Sequence, residues 1–136
     1  MHALMVQSKH VWMQILYIPY KLHIKYIGNM ILKVIIDEKT IPIEVPDYML
    51  VEAEEFFNKM DADMDTGWQM SRSWVDNPDS VQRCQIAADR ILTSVHTENE
   101  KMATLMAAYI LKKFPNIDSV DIDTEGDITQ TIFSGL

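Results

Sequence analysis

The chain has 136 residues, a length that fits one domain, and its apolar fraction of 48% is high enough to build a core. A net charge of −8 argues against a nucleic-acid partner, because such a partner calls for clustered Lys and Arg. The single cysteine, Cys84, excludes an internal disulfide and a Cys/His metal site. We therefore expect a reducing, cytoplasmic setting.

Residues 1–29 differ in composition from the rest of the chain. They contain three lysines and no Asp or Glu, whereas residues 30–136 hold nine Lys and Arg and all twenty Asp and Glu. The longest uncharged run, Val11–Tyr20, is too short to span a bilayer, which takes about 20 apolar residues. We interpret residues 1–29 as a leader that is expected to be disordered. Either Met30 is the natural start, or the leader is native and forms a peripheral membrane anchor through its lysines.

The next elements are two predicted β-strands. Apolar side chains alternate through Met30–Ile36 and, after a polar break, alternate again through Ile41–Val45. This pattern predicts a β-hairpin. Pro42 cannot donate a ladder hydrogen bond, so we expect the second strand to lie at a sheet edge.

A long helix is predicted over Tyr48–Ser73. Its apolar side chains recur at spacings of three and four, at Leu50, Ala53, Phe57, Met60, Met64 and Trp68. Gly67 is the weak point of this helix. Trp74–Asp76 then forms a connector, and Asn77 with Pro78 has the composition of a helix start.

The segment from Pro78 to Phe114 has two possible interpretations. Its apolar residues keep one heptad phase from Val81 to Tyr109, which favours a single long, kinked helix. Thr97 and Glu100 match a capping box, which instead predicts the start of a third helix. We favour the single helix.

The last elements are predicted to be β-strands again. Val120 and Ile122 alternate with acidic residues, Thr124–Asp127 has turn composition, and Ile128–Ile132 alternates once more. Residues 30–136 are therefore expected to form a single α+β domain. In it an antiparallel helical hairpin carries both β-hairpins at its base as one small antiparallel sheet. A hairpin of about 39 Å, at ~1.5 Å per residue, leaves apolar surface uncovered, so we expect a homodimer.

No residue set in the sequence matches a known catalytic or metal-binding pattern. The acidic runs Asp61–Gly67 and Asp121–Asp127 lack the glutamate that ends a calcium loop, and we interpret them as solvated surface. His96 and Glu98 form only half of a zinc-deaminase signature, which also needs a second cysteine. We therefore expect no cofactor and no metal, and enzymatic activity is not the favoured function.

The junction between the predicted helices is the candidate binding site. It concentrates Trp, Arg and Gln, types that include the commonest interface hot spots, as Trp68, Gln69, Arg72, Trp74, Gln82 and Arg83. The other interpretation is that the tryptophans plug the end of the helical hairpin while the arginines pair with Asp76 and Asp79. The sequence thus favours a small acidic, non-enzymatic interaction or regulatory module that binds an unknown protein partner. The alternative is a carboxylate-based protein that binds a cation or a small ligand.

Overall fold

A computed structural model of the protein describes residues 28–136. The leader that the sequence predicts over residues 1–29 lies outside the described residues, apart from Gly28 and Asn29. Among residues 28–136, no helix is both long enough and apolar enough to cross a membrane.

The described residues form a mixed α+β fold with four helices and two sheets, and the predicted α+β class is thereby confirmed. In chain order the elements are β1 (Asn29–Ile36), β2 (Lys39–Pro46), α1 (Met49–Glu52), α2 (Glu54–Asp65), β3 (Trp68–Met70), β4 (Ser73–Val75), α3 (Ser80–His96), α4 (Glu100–Lys113), β5 (Ser119–Asp121), a 3-10 turn (Ile128–Gln130) and β6 (Ile132–Ser134).

The first hairpin forms as its alternating pattern predicts. β1 and β2 pair antiparallel over their full length, from Asn29 opposite Pro46 to Ile36 opposite Lys39. The two turn residues, Asp37 and Glu38, have φ values of 50° and 68°. Positive φ at both positions matches the twist of the flanking strands. As Pro42 predicts, β2 lies at an edge of the sheet.

The four-stranded sheet has the order β2-β1-β5-β6 and is mixed. β5 pairs antiparallel with β6 but parallel with β1, with Val34 opposite Val120. The prediction of one antiparallel sheet is therefore wrong at this joint. Because β2 runs opposite to β1, and the helical connection after β2 reverses the chain once more, β5 runs in the same direction as β1.

The core lies between the sheet and the helices. Leu32, Val34 and Ile36 on one face of β1 are buried together with Val120 of β5. Helix side chains complete this cluster, and the largest fully buried one is Tyr109 of α4. Ile31, on the other face of β1, is 52% exposed.

The predicted helix over Tyr48–Ser73 is too long at its carboxyl end. Helix α2 ends at Asp65, and Trp68–Val75 form the hairpin β3–β4 instead. Gly67 has a φ of 112°, a conformation that side-chain-bearing residues rarely adopt, and this backbone turn ends the helical path. The helix is also interrupted at Ala53, between α1 and α2.

A single long helix over Pro78–Phe114 is likewise wrong. Helix α3 ends at His96 and α4 starts at Glu100, and Glu98 between them has a φ of 57°. A third helix therefore exists, but its N-cap is Asn99, whose Oδ1 accepts from the Met102 amide at 3.1 Å, rather than Thr97. The heptad phase continues across the corner because both helices face the same core.

The second predicted hairpin pairs correctly, but its second strand begins later than the sequence suggests. Ile128 lies in the 3-10 turn rather than in a strand. The loop is held by carboxylates: Asp123 accepts from the amides of Glu125 and Asp127, at 3.0 and 2.8 Å. These side-chain bonds compete with strand pairing and delay β6 until Ile132.

Candidate functional site

The hairpin β3–β4, Trp68–Val75, is called the tip hairpin below. Trp68 pairs with Val75, Gln69 with Trp74, and Met70 with Ser73. Since side chains alternate across a strand, Gln69 and Trp74 share one face of the hairpin. Met70 on the opposite face is buried and Trp68 is half-buried, so the Gln69–Trp74 face is the outward one.

Trp74 is exposed and yet held in one orientation. Its side chain is 59% exposed, and its indole Nε1 donates to Asp76 Oδ1 at 2.8 Å. The indole lies against the backbone of Gly67, where a Cβ atom would overlap the ring. The glycine thus has two consequences, because it ends α2 and it makes room for the tryptophan.

The other two outward residues of the tip hairpin are polar. Gln69 Nε2 donates to the Ser71 carbonyl at 3.0 Å, across the turn. Ser71 has a φ of 56°, and the side chain of the next residue, Arg72, is exposed. Within residues 28–136 Arg72 forms no ion pair, so its guanidinium keeps its donors for other contacts.

Gln82 serves the start of α3. The backbone amide of Gln82 donates to Asp79 Oδ1 at 2.8 Å, and the side-chain Oε1 of Gln82 accepts from the backbone amide of Asp79 at 2.9 Å. This reciprocal pair is a capping box, and it makes Asp79 the N-cap in place of the predicted Asn77.

Arg83 lies inside the molecule and is 8% exposed. It donates to the Pro78 carbonyl at 2.7 Å, to Asn77 Oδ1 at 2.8 Å, to Asp65 Oδ1 at 2.8 Å and to Asp61 Oδ1 at 3.2 Å. Burial lowers the pKa of Arg83, but the hydrogen bonds and charges of Asp65 and Asp61 outweigh it and raise that pKa. The predicted pairing of Arg83 with Asp76 or Asp79 is replaced by these contacts to α2.

Asp61 joins three helices. The acidic run in which it lies had indicated only a solvated surface residue. Besides Arg83 of α3, it accepts from Tyr109 Oη at 2.5 Å and from Lys113 Nζ at 3.1 Å, both on α4. Burial raises the pKa of Asp61, but the hydrogen bonds and the positive charge of Lys113 lower it below its ordinary value. Asp61 is thus a partly buried anion with three side-chain donors rather than part of a solvated face, although Asp63 and Asp65 beside it are exposed.

A groove of about 500 Å³ lies beside the turn of the tip hairpin. Met70–Ser73 form one wall and Glu125–Asp127 with Thr129 form the other. The hairpin turn therefore lies next to the β5–β6 loop, not at a tip remote from the sheet. In the part of the chain that the structure describes, no group of three or more His, Cys, Asp or Glu side chains is placed to hold a metal ion.

Of the six predicted site residues, the structure therefore places Gln69, Arg72 and Trp74 outward on the tip hairpin. The half-buried Trp68 and Gln82, with the interior Arg83, lie at its base. The fold is thus an α+β fold that presents Trp74 as an exposed aromatic side chain held in one orientation. Comparison of the chain with protein-family models, curated proteins and solved structures gives no match.

Proposed function

We propose that this protein is a small acidic, non-enzymatic interaction module that binds a protein partner through the outward face of the tip hairpin. In this proposal Trp74, Arg72 and Gln69 contact the partner. The observation that carries it is Trp74, which is 59% exposed although a hydrogen bond to Asp76 and contact with Gly67 fix its ring.

An ordered and exposed tryptophan is well suited to binding. Trp and Arg are the residue types most enriched among interface hot spots, where truncation costs at least about 2 kcal/mol. A side chain that is already held in place loses less conformational freedom when the partner docks. The unpaired guanidinium of Arg72 adds donors two residues away.

The residues at the base support the hairpin in this proposal. Arg83 ties the connector after β4 to helix α2, through Asn77 and Asp65. Gln82 fixes the first turn of α3. We therefore expect substitutions at these two positions to act through stability, and substitutions at Trp74 to act through the partner.

Affinity capture from the native cell extract tests the proposal. The full chain carrying Trp74→Ala is compared with wild type and with Ile132→Ala, a control that removes another exposed apolar side chain. We expect a partner enriched by wild type and by the control, with at least about a 30-fold weaker dissociation constant for Trp74→Ala once that partner is purified. Equal affinity of the Trp74→Ala protein, at an unchanged melting temperature, would contradict the proposal.

Self-association is a second part of the proposal. The heptad stripe gives a homodimer little support, because Cys84, Ala88 and Ile91 of that stripe are buried inside the fold. Sedimentation equilibrium of the full chain gives the mass directly. A monomer at micromolar concentration would remove the homodimer while leaving the tip hairpin as a partner site.

The alternative of a carboxylate-based site for a cation has less support at the groove beside the tip hairpin. The carboxylates of Asp123 and Asp127 near the groove already accept backbone amides of their own loop. Calorimetric titration with calcium, magnesium and manganese would revive this alternative if it showed saturable heat.

A further inference from the structure

A second groove, of about 470 Å³, lies between the edge strand β2 and the corner that joins α3 to α4. Ile41–Glu44 form the strand wall. The helix wall consists of Ser94, Val95, Glu98, Glu100, Ala103 and Thr104. This volume falls in the range of small-molecule sites, about 300–1,000 Å³.

Two carboxylates border the groove without a counter-charge. They belong to Glu98 and Glu100, and neither forms an ion pair with any described residue. The Glu44 carboxylate lies on the opposite face of the sheet, because Glu44 pairs with the outward Ile31. No lysine, arginine or histidine is among the described residues that line the groove. Its potential therefore favours a positive charge.

Two buried hydroxyl groups add acceptors to the same surface. Ser94 and Thr104 are each 4% exposed. Ser94 Oγ donates to the Arg90 carbonyl at 2.6 Å, and Thr104 Oγ1 donates to the Glu100 carbonyl at 2.9 Å. A hydroxyl has one hydrogen, so both oxygens can offer only lone pairs to a ligand.

The amino end of α4 also borders the groove, and its positive dipole end would by itself favour an anion. That end is already occupied. Asn99 Oδ1 accepts from the Met102 amide, and Glu100 places a carboxylate in the first turn. The side-chain groups left to recognise a ligand are thus acceptors and apolar surface.

From these features we propose that the groove binds a small organic cation with an apolar body, either a protonated amine or a guanidinium on an aliphatic or aromatic group. The apolar body would cover Ile41, Ile43 and Val95, while the cation would donate to the carboxylates and hydroxyls. A free ligand is favoured over an added peptide strand, because Pro42 at the centre of the strand wall has no N–H for a ladder hydrogen bond. This site is separate from the tip hairpin, and neither proposal depends on the other.

Three probes of one shape test the assignment on the full chain. They are 3-phenylpropylammonium, 3-phenylpropanol and 3-phenylpropanoate, which share a body and differ in charge. Titrations followed by ¹H–¹⁵N NMR are expected to shift the amides of Ile43, Val95 and Ala103. The ammonium should bind at least about fivefold more tightly than the alcohol, the factor that one pair of charges 4 Å apart gives in water, and the carboxylate should bind most weakly.

Matched variants separate the groove from general charge. Glu98→Gln and Glu100→Gln together should lower the affinity for the ammonium to that for the alcohol. Glu38→Gln and Glu52→Gln remove the same charge at positions that do not line the groove, and Glu38 matches Glu98 because both have a positive φ. This control should stay within about twofold of wild type, because salt screens exposed charges that do not contact the ligand.

Three results would overturn the proposal: no probe binds, the ammonium and the alcohol bind wild type equally, or both double variants weaken the affinity for the ammonium alike. Should the groove variant fail to fold, Glu98→Gln alone provides the same comparison from an exposed position between α3 and α4. It should reduce the preference for the ammonium over the alcohol, and an unchanged preference would count against the site.

Discussion

Arg83 illustrates how much one side chain can organise. Its guanidinium reaches α2 through Asp61 and Asp65 and the connector through Asn77 and Pro78. An arginine can do this because it presents five donors in a planar fork, whereas a lysine offers three from one nitrogen. The hairpin that carries Trp74 lies between the segments that this fork joins.

Arg83→Met is expected to lower the free energy of unfolding by about 2 kcal/mol, because it leaves the buried Pro78 carbonyl without its donor and removes one of the three side chains that donate to Asp61. Urea denaturation at pH 7 measures this. Arg90→Met is the control, since Arg90 is exposed and should change stability by no more than about 0.5 kcal/mol. Equal small losses for the two variants would show that the Arg83 contacts contribute little.

The lowered pKa of Asp61 makes stability depend on pH. The folded state favours the carboxylate, so its contribution is present above about pH 4 and is lost as the pH falls through the lower pKa of the folded state. Asp61→Asn should cost about 2 kcal/mol at pH 7, the order expected of hydrogen bonds to a charged group. Urea midpoints are measured from pH 7 to pH 2.5. The difference in midpoint between wild type and Asp61→Asn should become smaller below pH 4. A constant gap would mean that the charge of Asp61 is not what stabilises the fold.

The tip hairpin is the element that sequence periodicity predicts least well. Trp68 continues the apolar stripe of α2 at helical spacing, so the pattern extends the helix past its end. What stops the helix is the backbone at Gly67, and a glycine inside a helical pattern predicts a weak point but not a reversal. By contrast, the first hairpin is predictable because strict alternation, a polar break and Pro42 all indicate the same structure.

Gly67→Ala should displace Trp74, since the added Cβ would overlap the indole, and should also strain the backbone by about 1–3 kcal/mol. The control is Gly126→Ala, because Gly126 also has a positive φ, of 90°, but a Cβ there meets nothing within 4 Å. Both variants should lose stability, and only Gly67→Ala should change the fluorescence of Trp74. The Trp74 signal is resolved in a background with Trp12→Phe and Trp68→Phe, because the chain has three tryptophans. Unchanged emission in Gly67→Ala would show that the glycine does not position the ring.

Sequence patterns could not predict the sites that depend on contacts between residues far apart in the chain. Tyr109 and Asp61 are 48 positions apart and meet only because α2 packs beside α4. The sequence places Asp61 in an acidic run, and nothing local distinguishes it from Asp63, which is exposed. The composition of the junction did indicate Trp74 and Arg72, because Trp and Arg concentrate there whatever the backbone does.

The whole molecule is a one-sided sheet with a helical layer, and neighbouring positions on β1 test that arrangement. Leu32→Ala should cost about 2–5 kcal/mol, because Leu32 is fully buried in the core. Ile31→Ala removes a similar side chain from the exposed face and should cost much less. Thermal unfolding of both variants measures the difference. Comparable losses would mean that the outer face of the sheet is covered in solution.

The parallel pairing of β1 with β5 has a consequence for the order of folding. The β1–β2 hairpin is local in the sequence, but β1 meets β5 only after all four helices have passed between them. Contacts of such wide separation form slowly. On the ribosome, β5 emerges after the helices, so the second edge of β1 stays open while most of the chain is already outside. An open strand edge is a template for aggregation. We therefore expect a chain that stops before Ser119 to aggregate during synthesis, even though it retains every helix.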